Sequence, residues 1–444
     1  MAEAHASSSP AATPPPRPRD PLAWCLALTG IYALLAGWRL AIPSEPFFDE
    51  VHYIPAARAL LEVAQGGHVA YFNREHPLFG KEMIAIGMAL FGDTPLGWRF
   101  MPWVAGVLAC FAGVRAMWHA SADRFATIAF GVLLATGFHL FIHSRIAMLD
   151  IFMASALMVA TWQFAGACSQ PETGRRRLAL TGIALGCAMG AKWNAIPLAM
   201  LPGLTFFIAR ALAGRRRLLF SRRGAPVPGV TLVEAFVWLG ILPLATYAAT
   251  FVPGYFLGEY LHPSPLAEKG LIGFHAEILS LQQQVLKPHQ YMSTWPQWVL
   301  NTRAIWYMYE PIDGAQRGVL LIGNPLTMLA GLPAVAWCLW RGVWQRDWAR
   351  LGVAIGYAAS LGLWVIAPKP VQFYYHYFVP SCFLLAALAL ACSDLHKWQR
   401  TRWLGWGIPA AAAAVFAWFF PIIAALPLAG KMSYTHWMWL DGWR

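Results

Sequence analysis

Phe47-Phe48-Asp49-Glu50-Val51-His52-Tyr53 stands just after the first long apolar run of the chain, residues 22–42. Two adjacent carboxylates beside a hydrophobic span are costly to desolvate, so an acidic pair here needs a use. A carboxylate at a water–lipid boundary can take a proton from a hydroxyl while a lipid-borne donor lies alongside. The competing reading makes it an acidic N-cap for a helix lying along the membrane surface.

Outward from this pair, the chain is 58% hydrophobic and only 12% charged over 444 residues. A soluble domain carries roughly 25% charged residues. The apolar residues fall in long runs separated by short charged loops, the pattern of an all-α polytopic membrane protein. The net charge of +12 does not indicate nucleic-acid binding, because the basic residues cluster in the loops, where they set orientation. The cysteines (Cys25, Cys110, Cys168, Cys187, Cys338, Cys382 and Cys392) lie in or at the ends of apolar runs and lack metal-ligand spacing. The N-terminal residues, rich in Ala, Ser and Pro, read as a disordered cytoplasmic tail over 1–21, ahead of one transmembrane domain over 22–444.

Loops with a strong Lys/Arg excess should be cytoplasmic: 175–177, 210–223, 341–350 and 397–402, together with Arg17 and Arg19. Between such anchors the number of crossings is even. Span one, 22–42, leaves the cytoplasm, so an odd number of crossings must reach 175–177. The apolar segments 98–118, 124–143 and 147–168 cross. Segment 82–92 is roughly 16 Å long as a helix, too short for a hydrocarbon core of about 30 Å. It reads as a membrane-surface helix in the first outer loop. Residues 178–209 form a hairpin with Lys192 at its outer turn, and further spans follow at 231–252, 319–340, 350–367, 374–393 and 404–427. The total is about eleven transmembrane helices. The N-terminus is inside, outer loops cover 43–97 and 253–318, and an outer tail covers 428–444. No internal repeat is visible. This topology gathers Asp49, Glu50, His76, Lys81, Arg99, Arg145, Asp150, Lys192, His289, Lys369 and His376 at the outer face. Such a mixture of acids and bases suits an anionic donor that needs charge neutralisation and base catalysis.

Several of these residues sit in motifs. They are Phe48-Asp49-Glu50-Val51-His52-Tyr53, Glu75-His76-Pro77-Leu78-Phe79-Gly80-Lys81, Gly97-Trp98-Arg99-Phe100-Met101-Pro102 and Ser144-Arg145-Ile146-Ala147-Met148-Leu149-Asp150. Gly190-Ala191-Lys192-Trp193, His289-Gln290-Tyr291-Met292-Ser293 and Tyr375-His376-Tyr377-Phe378-Val379-Pro380 follow. In joint order they resemble the bacterial form of the protein O-mannosyltransferases, dolichyl-phosphate-mannose–protein mannosyltransferases of the GT-C glycosyltransferase fold. Leu78 departs from the family's His-Pro-Pro segment. The 253–318 loop is too short for the β-trefoil domain of eukaryotic members.

The resemblance implies an enzyme of the bacterial inner membrane. It would move mannose from a polyprenyl-phosphate-linked donor to Ser/Thr of an exported protein at the outer face. It makes Asp49 the general base, with Glu50 beside it in the catalytic pair or holding Arg99. Donor and phosphate binding falls to Arg99, Arg145, Lys192, His289, His376 and Tyr377, with His76, Lys81 and Asp150 in support. Simpler readings stand beside these. Arg99 could snorkel, Arg145 could pair with Asp150, His289 could cap a loop helix, Tyr377 could be interface material, and His76 and Lys81 could contact headgroups. No cofactor is implied. A divalent cation stays open, with Asp49, Glu50 and His289 the residues that would build its site. Oligomeric state is not readable. The alternatives are a GT-C transferase with a lipid acceptor such as lipid A, and a lipid or solute transporter. The one-sided placement of the polar residues argues against the transporter.

Overall fold

The computed structural model describes residues 18–213, 218–259, 261–284, 288–367, 369 and 371–444. The expected tail therefore lies outside the described residues except for 18–21. In lipid every backbone N–H and C=O must find a partner inside its own segment, so long apolar runs become helices.

In chain order the helices begin with α1 (Leu22–Gly37), α2 (Glu50–Ala64), α3 (Phe79–Phe91), α4 (Pro95–Ser121), α5 (Arg124–Thr136), α6 (Phe138–His143), α7 (Leu149–Ser169) and α8 (Gly174–Ala191). They continue with α9 (Ile196–Leu212), α10 (Leu232–Phe236), α11 (Leu242–Ala249), α12 (Pro265–Gln283) and α13 (Trp295–Val299). An antiparallel hairpin of β1 (Ile305–Ile312) and β2 (Ala315–Leu321) follows. The chain then runs through α14 (Pro325–Trp344), α15 (Trp348–Ile366), α16 (Phe378–Lys397) and α17 (Arg402–Ile423).

The protein is a multi-pass membrane protein. Among the described residues, eight helices are long and apolar enough to cross a membrane. They cover eight of the eleven expected spans. The other three fall short by that measure. α1 has 16 residues, α8 opens on three arginines, and the 124–143 segment breaks at Gly137 into α5 and α6. The short surface helix is α3, with 13 residues, and α2 joins it in the 43–97 loop. The expected hairpin over 178–209 is α8 and α9, with extended Lys192 between them.

The β-hairpin was not expected. Asp313 and Gly314 both take positive φ, 52° and 74°, the two-residue turn that matches strand twist. β2 takes residues 319–321 from the expected span 319–340, which begins instead at Pro325. There the Asn324 side chain accepts from Leu326 N at 3.2 Å. The segment 428–444 is no loose tail. Leu428 N donates to Gln316 O at 2.8 Å, and Ala304 N donates to Gly442 O at 3.3 Å. Trp306 Nε1 donates to Trp443 O at 3.1 Å, and Trp443 Nε1 donates to Asn301 O at 2.8 Å. The C-terminal segment thus braces the hairpin.

α16 is the most enclosed span, packed among α5, α14, α15 and α17. α7 lies between α4 and α8. α8 approaches the α10–α11 segment through Gly182, Gly186 and Gly190, four residues apart. A Cβ on Gly182 would stand 2.1 Å from Trp238 O, and one on Gly190 would stand 2.7 Å from Thr250 Oγ1. Small residues at this spacing let membrane helices meet backbone to backbone. The partner widens into a π turn, Val237–Ile241, just before Pro243, which has no backbone N–H to donate to the helical ladder and whose ring crowds the preceding turn.

Gly182→Ala should therefore separate α8 from its neighbour and destabilise the protein by about 1–3 kcal/mol. A fall in the thermal unfolding midpoint of the purified protein in detergent checks this.

Candidate active site

Asp49 occupies the N-cap position of α2, yet its side chain makes no capping bond. The N-cap reading of the acidic pair is thus not realised. The preceding Phe48 has φ 53°, an uncommon conformation for a bulky residue and one often found beside working sites. Burial raises the Asp49 carboxyl to about 6, against the opposing pull of Lys192 and with Asp150 adding to the rise. Tyr53, one turn along α2, adds a hydrogen-bond contribution that favours the ionised form.

Glu50 behaves differently. Its oxygens accept from Arg99 Nε and Nη2, both at 2.8 Å, from Ala147 N at 2.8 Å and from Phe47 N at 3.2 Å. Both side chains are fully buried. Glu50 thus holds Arg99, one of the two readings that the sequence left for it. Arg99 also donates to Pro43 O and Glu45 O, so four of its five N–H groups are engaged within the protein. Arg145 is turned onto backbone carbonyls. It donates to Ala36 O at 2.6 Å and Trp38 O at 2.7 Å, capping the C-terminal end of α1, where free carbonyls attract a cation. The alternative Arg145–Asp150 pair does not form, because Asp150 holds Lys192 Nζ with both oxygens, at 2.9 and 2.8 Å. Tyr377 faces the interior and bonds Tyr357 Oη at 2.9 Å. Arg99, Arg145 and Tyr377 thus make hydrogen bonds within the protein frame.

Lys192 lies over the Tyr375 ring, 4.8 Å from its centre. Around it stand Asp49, Asp150, His76, Lys369 and His376. Burial pushes His76 well below the usual histidine range, helped by Lys192, so its ring stays neutral. Lys81 is buried and donates to the carbonyls of Asn73 and His76, stapling the loop that carries His76. Burial lowers its ammonium to about 7. Lys369 drops to about 8, first by burial and then by the nearby Lys192. No carboxylate lies within ion-pair distance of it among the described residues.

His376 stacks on Trp364 at 3.7 Å. Its Nδ1 accepts from Phe373 N at 3.1 Å. A neutral ring must then carry its proton on Nε2. That buried donor has no partner among the described residues.

Beside this cluster opens a cavity of about 420 Å³ lined by Phe48, Val51, His289, Tyr291, Tyr307 and Glu310, among others. Phe48 packs on Tyr307 at 4.2 Å, and Tyr307 Oη meets His143 Nε2 at 3.2 Å. His289 is exposed at this cavity, apart from the Lys192 cluster. Asp49, Glu50 and His289 do not converge as a cation site. Among the described residues no group of three His, Cys, Asp or Glu is placed to hold a metal.

Lys369 stands at the outer face with no motif to assign it a role. For Tyr53 the available signal is its spacing of four from Asp49, and Tyr307 lies on the unexpected hairpin.

A family model described as dolichyl-phosphate-mannose-protein mannosyltransferase matches residues 95–256. A Mycolicibacterium smegmatis polyprenol-phosphate-mannose–protein mannosyltransferase is 27% identical, with 98% of this chain and 96% of that protein covered. The chain is similar to these mannosyltransferases over nearly its whole length. The S. cerevisiae protein O-mannosyltransferase complex bound to the sugar donor matches with a TM-score of 0.78 and 14% identity, covering 95% of this chain and 92% of that one. ArnT from Cupriavidus metallidurans bound to undecaprenyl phosphate matches at 0.58 and 16%, covering 92% and 67%. These likenesses establish the GT-C fold.

Removing one member of a buried ion pair costs about 3–5 kcal/mol, because the other charge is left uncompensated. Glu50→Ala should lose about that much, and Glu50→Ala with Arg99→Met should recover much of it. Unfolding midpoints of the two singles and the double measure this coupling.

Proposed function

We propose that the protein transfers mannose from a polyprenyl-phosphate-mannose donor to Ser and Thr hydroxyls of exported proteins. The reaction takes place at the outer face of a bacterial cell membrane, with the basic loops on the cytoplasmic side. The observation that carries the reading is a pairing. An Asp49 carboxyl near its ionisation point stands in the same cluster as the unpartnered Nε2–H of His376. The relatives named as polyprenol-phosphate-mannose–protein mannosyltransferases support the choice of donor and acceptor.

The acceptor reaches Asp49 from the cavity walled by Phe48 and Tyr307. Asp49 takes the hydroxyl proton as the oxygen attacks the anomeric carbon, and the bond from that carbon to the phosphate oxygen breaks. The electron pair leaves on the polyprenyl phosphate. His376 Nε2–H and the Lys369 ammonium receive that charge, while Lys192 stays tied to Asp150 and fixes the field around it. A single displacement with one base inverts the anomeric centre.

The test is transfer by purified protein in nanodiscs, using polyprenyl-phosphate-mannose and a Ser/Thr-rich peptide. Asp49→Asn should lower turnover by about 10²–10⁴-fold, the usual worth of a general base. Full transfer by that variant removes Asp49 from the role. Sugar on lipid A with none on peptide would favour the lipid acceptor.

For the wild type, kcat/KM should fall as pH drops through about 6, because a protonated Asp49 cannot accept a proton. The same shift sets the sign for stability. The folded state favours the protonated form, so its advantage is present below the ordinary carboxyl range and lost as pH rises through about 6. Asp49→Asn should thus unfold at a higher temperature than wild type at pH 8, with the gap closing at pH 4.

Lys369→Ala should raise the donor KM about tenfold or more, the worth of one charge-assisted bond to phosphate. Initial rates against donor concentration decide it, and an unchanged donor KM removes Lys369 from the phosphate site.

A further inference from the structure

Three side chains outside the reaction as written form a closed hydrogen-bonded chain beside Lys192. Trp193 Nε1 donates to Tyr247 Oη at 2.7 Å, and Tyr247 Oη meets His275 Nε2 at 2.5 Å. His275 Nδ1 lies 2.6 Å from Leu271 O. A carbonyl only accepts, so Nδ1 carries a proton. The Tyr247 oxygen receives the indole N–H, and its contact with Nε2 closes the chain.

The same groups pack face to face. The Trp193 and His275 rings stack with centres 5.6 Å apart and planes at 20°. Tyr247 and Phe251 close over His275 at 5.5 and 5.0 Å. Three separate elements meet here: the turn after α8, α11, and α12 from the 253–318 loop. The glycine face of α8 brings α11 near enough for Tyr247 to reach Trp193. Trp193 follows Lys192 directly, at the point where the backbone leaves the helix in extended form, φ −160° and ψ 137°. Lys192 N donates to Ala188 O at 3.1 Å and its carbonyl accepts from Ala195 N at 3.2 Å, so the turn is bonded along its own backbone. The neighbouring indole adds a side-chain tether from this turn to α11 and α12.

We infer that Tyr247 and His275 are positioning residues for Lys192, acting through Trp193, so that a helix of the 253–318 loop completes the active site from outside the bundle. The catalytic consequence rests on the proposed transfer reaction; the mechanical one does not. Lys192 fixes the field where charge develops, so loosening the turn should act on turnover more than on donor binding.

The experiment uses the full chain in nanodiscs, with Tyr247→Phe, His275→Ala, His275→Gln and the double Tyr247→Phe/His275→Ala. Hydrogen exchange over residues 188–196 reads the turn directly. Tyr247→Phe and His275→Ala should each speed exchange there, and His275→Gln, whose amide oxygen can accept from Tyr247, should leave it near wild type. Transfer in the same samples should show kcat lowered about tenfold in Tyr247→Phe and His275→Ala, with donor KM within about twofold. The double should be no worse than Tyr247→Phe, since one chain is broken in either case. Thermal unfolding identifies a variant that fails to fold, and His275→Gln against His275→Ala then decides the matter. Unchanged exchange in Tyr247→Phe overturns the inference, as do multiplicative losses in the double. If the wild type transfers no mannose, the exchange arm still decides the positioning role, and the reaction alone is rejected.

Discussion

Arg99 and Glu50 meet out of reach of water, and much of the site depends on where they meet. The guanidinium comes from α4, the carboxylate from the first turn of α2, and the backbone N–H of Ala147 joins them from the entry to α7. Three segments far apart in the chain are thereby pinned to one another. Asp49 precedes Glu50, so the position of the proposed base is inherited from this ion pair. A charge pair placed in a low-dielectric setting is a poor source of net stability, but it is very intolerant of misplacement. That intolerance is useful where a carboxylate must be held near the point at which its proton comes and goes.

The site separates charges that are spent from charges that are open. Glu50–Arg99 and Asp150–Lys192 are closed pairs, and the guanidinium of Arg145 is consumed by helix-end carbonyls. Asp49, Lys369 and the Nε2–H of His376 are left without such partners among the described residues. In the proposed reaction an incoming phosphate would meet one cation without an ion pair and one buried free donor, within a field fixed by groups that need not move. Preorganised charge of this kind requires little rearrangement at the moment of reaction, which is where much of an enzyme's electrostatic advantage arises.

The gathering of Asp49, His76, Asp150, Lys192 and His376 was legible because each sits in a motif at the same end of a span. What the motifs could not convey was direction. Arg99 and Arg145 have the residue type of phosphate ligands, but both turn toward carbonyls and a carboxylate from other segments, and no local pattern encodes that. Glu50 is the same case, for Ala147 lies 97 residues away. The hairpin was legible in principle from Asp313-Gly314 directly after the aromatic run 305–312. It was hidden because the strand Ala315–Leu321 merges with the apolar run of the following span. Tyr247 and His275 carry no motif, and only the folded chain shows that they meet Trp193.

The bracing of the β-hairpin by the segment around Trp443 has a consequence in time. A ribosome makes the strands of residues 305–321 long before it makes the residues that support them, and α14 to α17 must be inserted in between. Through that interval the wall bearing Tyr307 lacks its backing at Asn301, Ala304 and Trp306. The chamber walled by Phe48 and Tyr307 thus takes its shape only after α17 has been inserted.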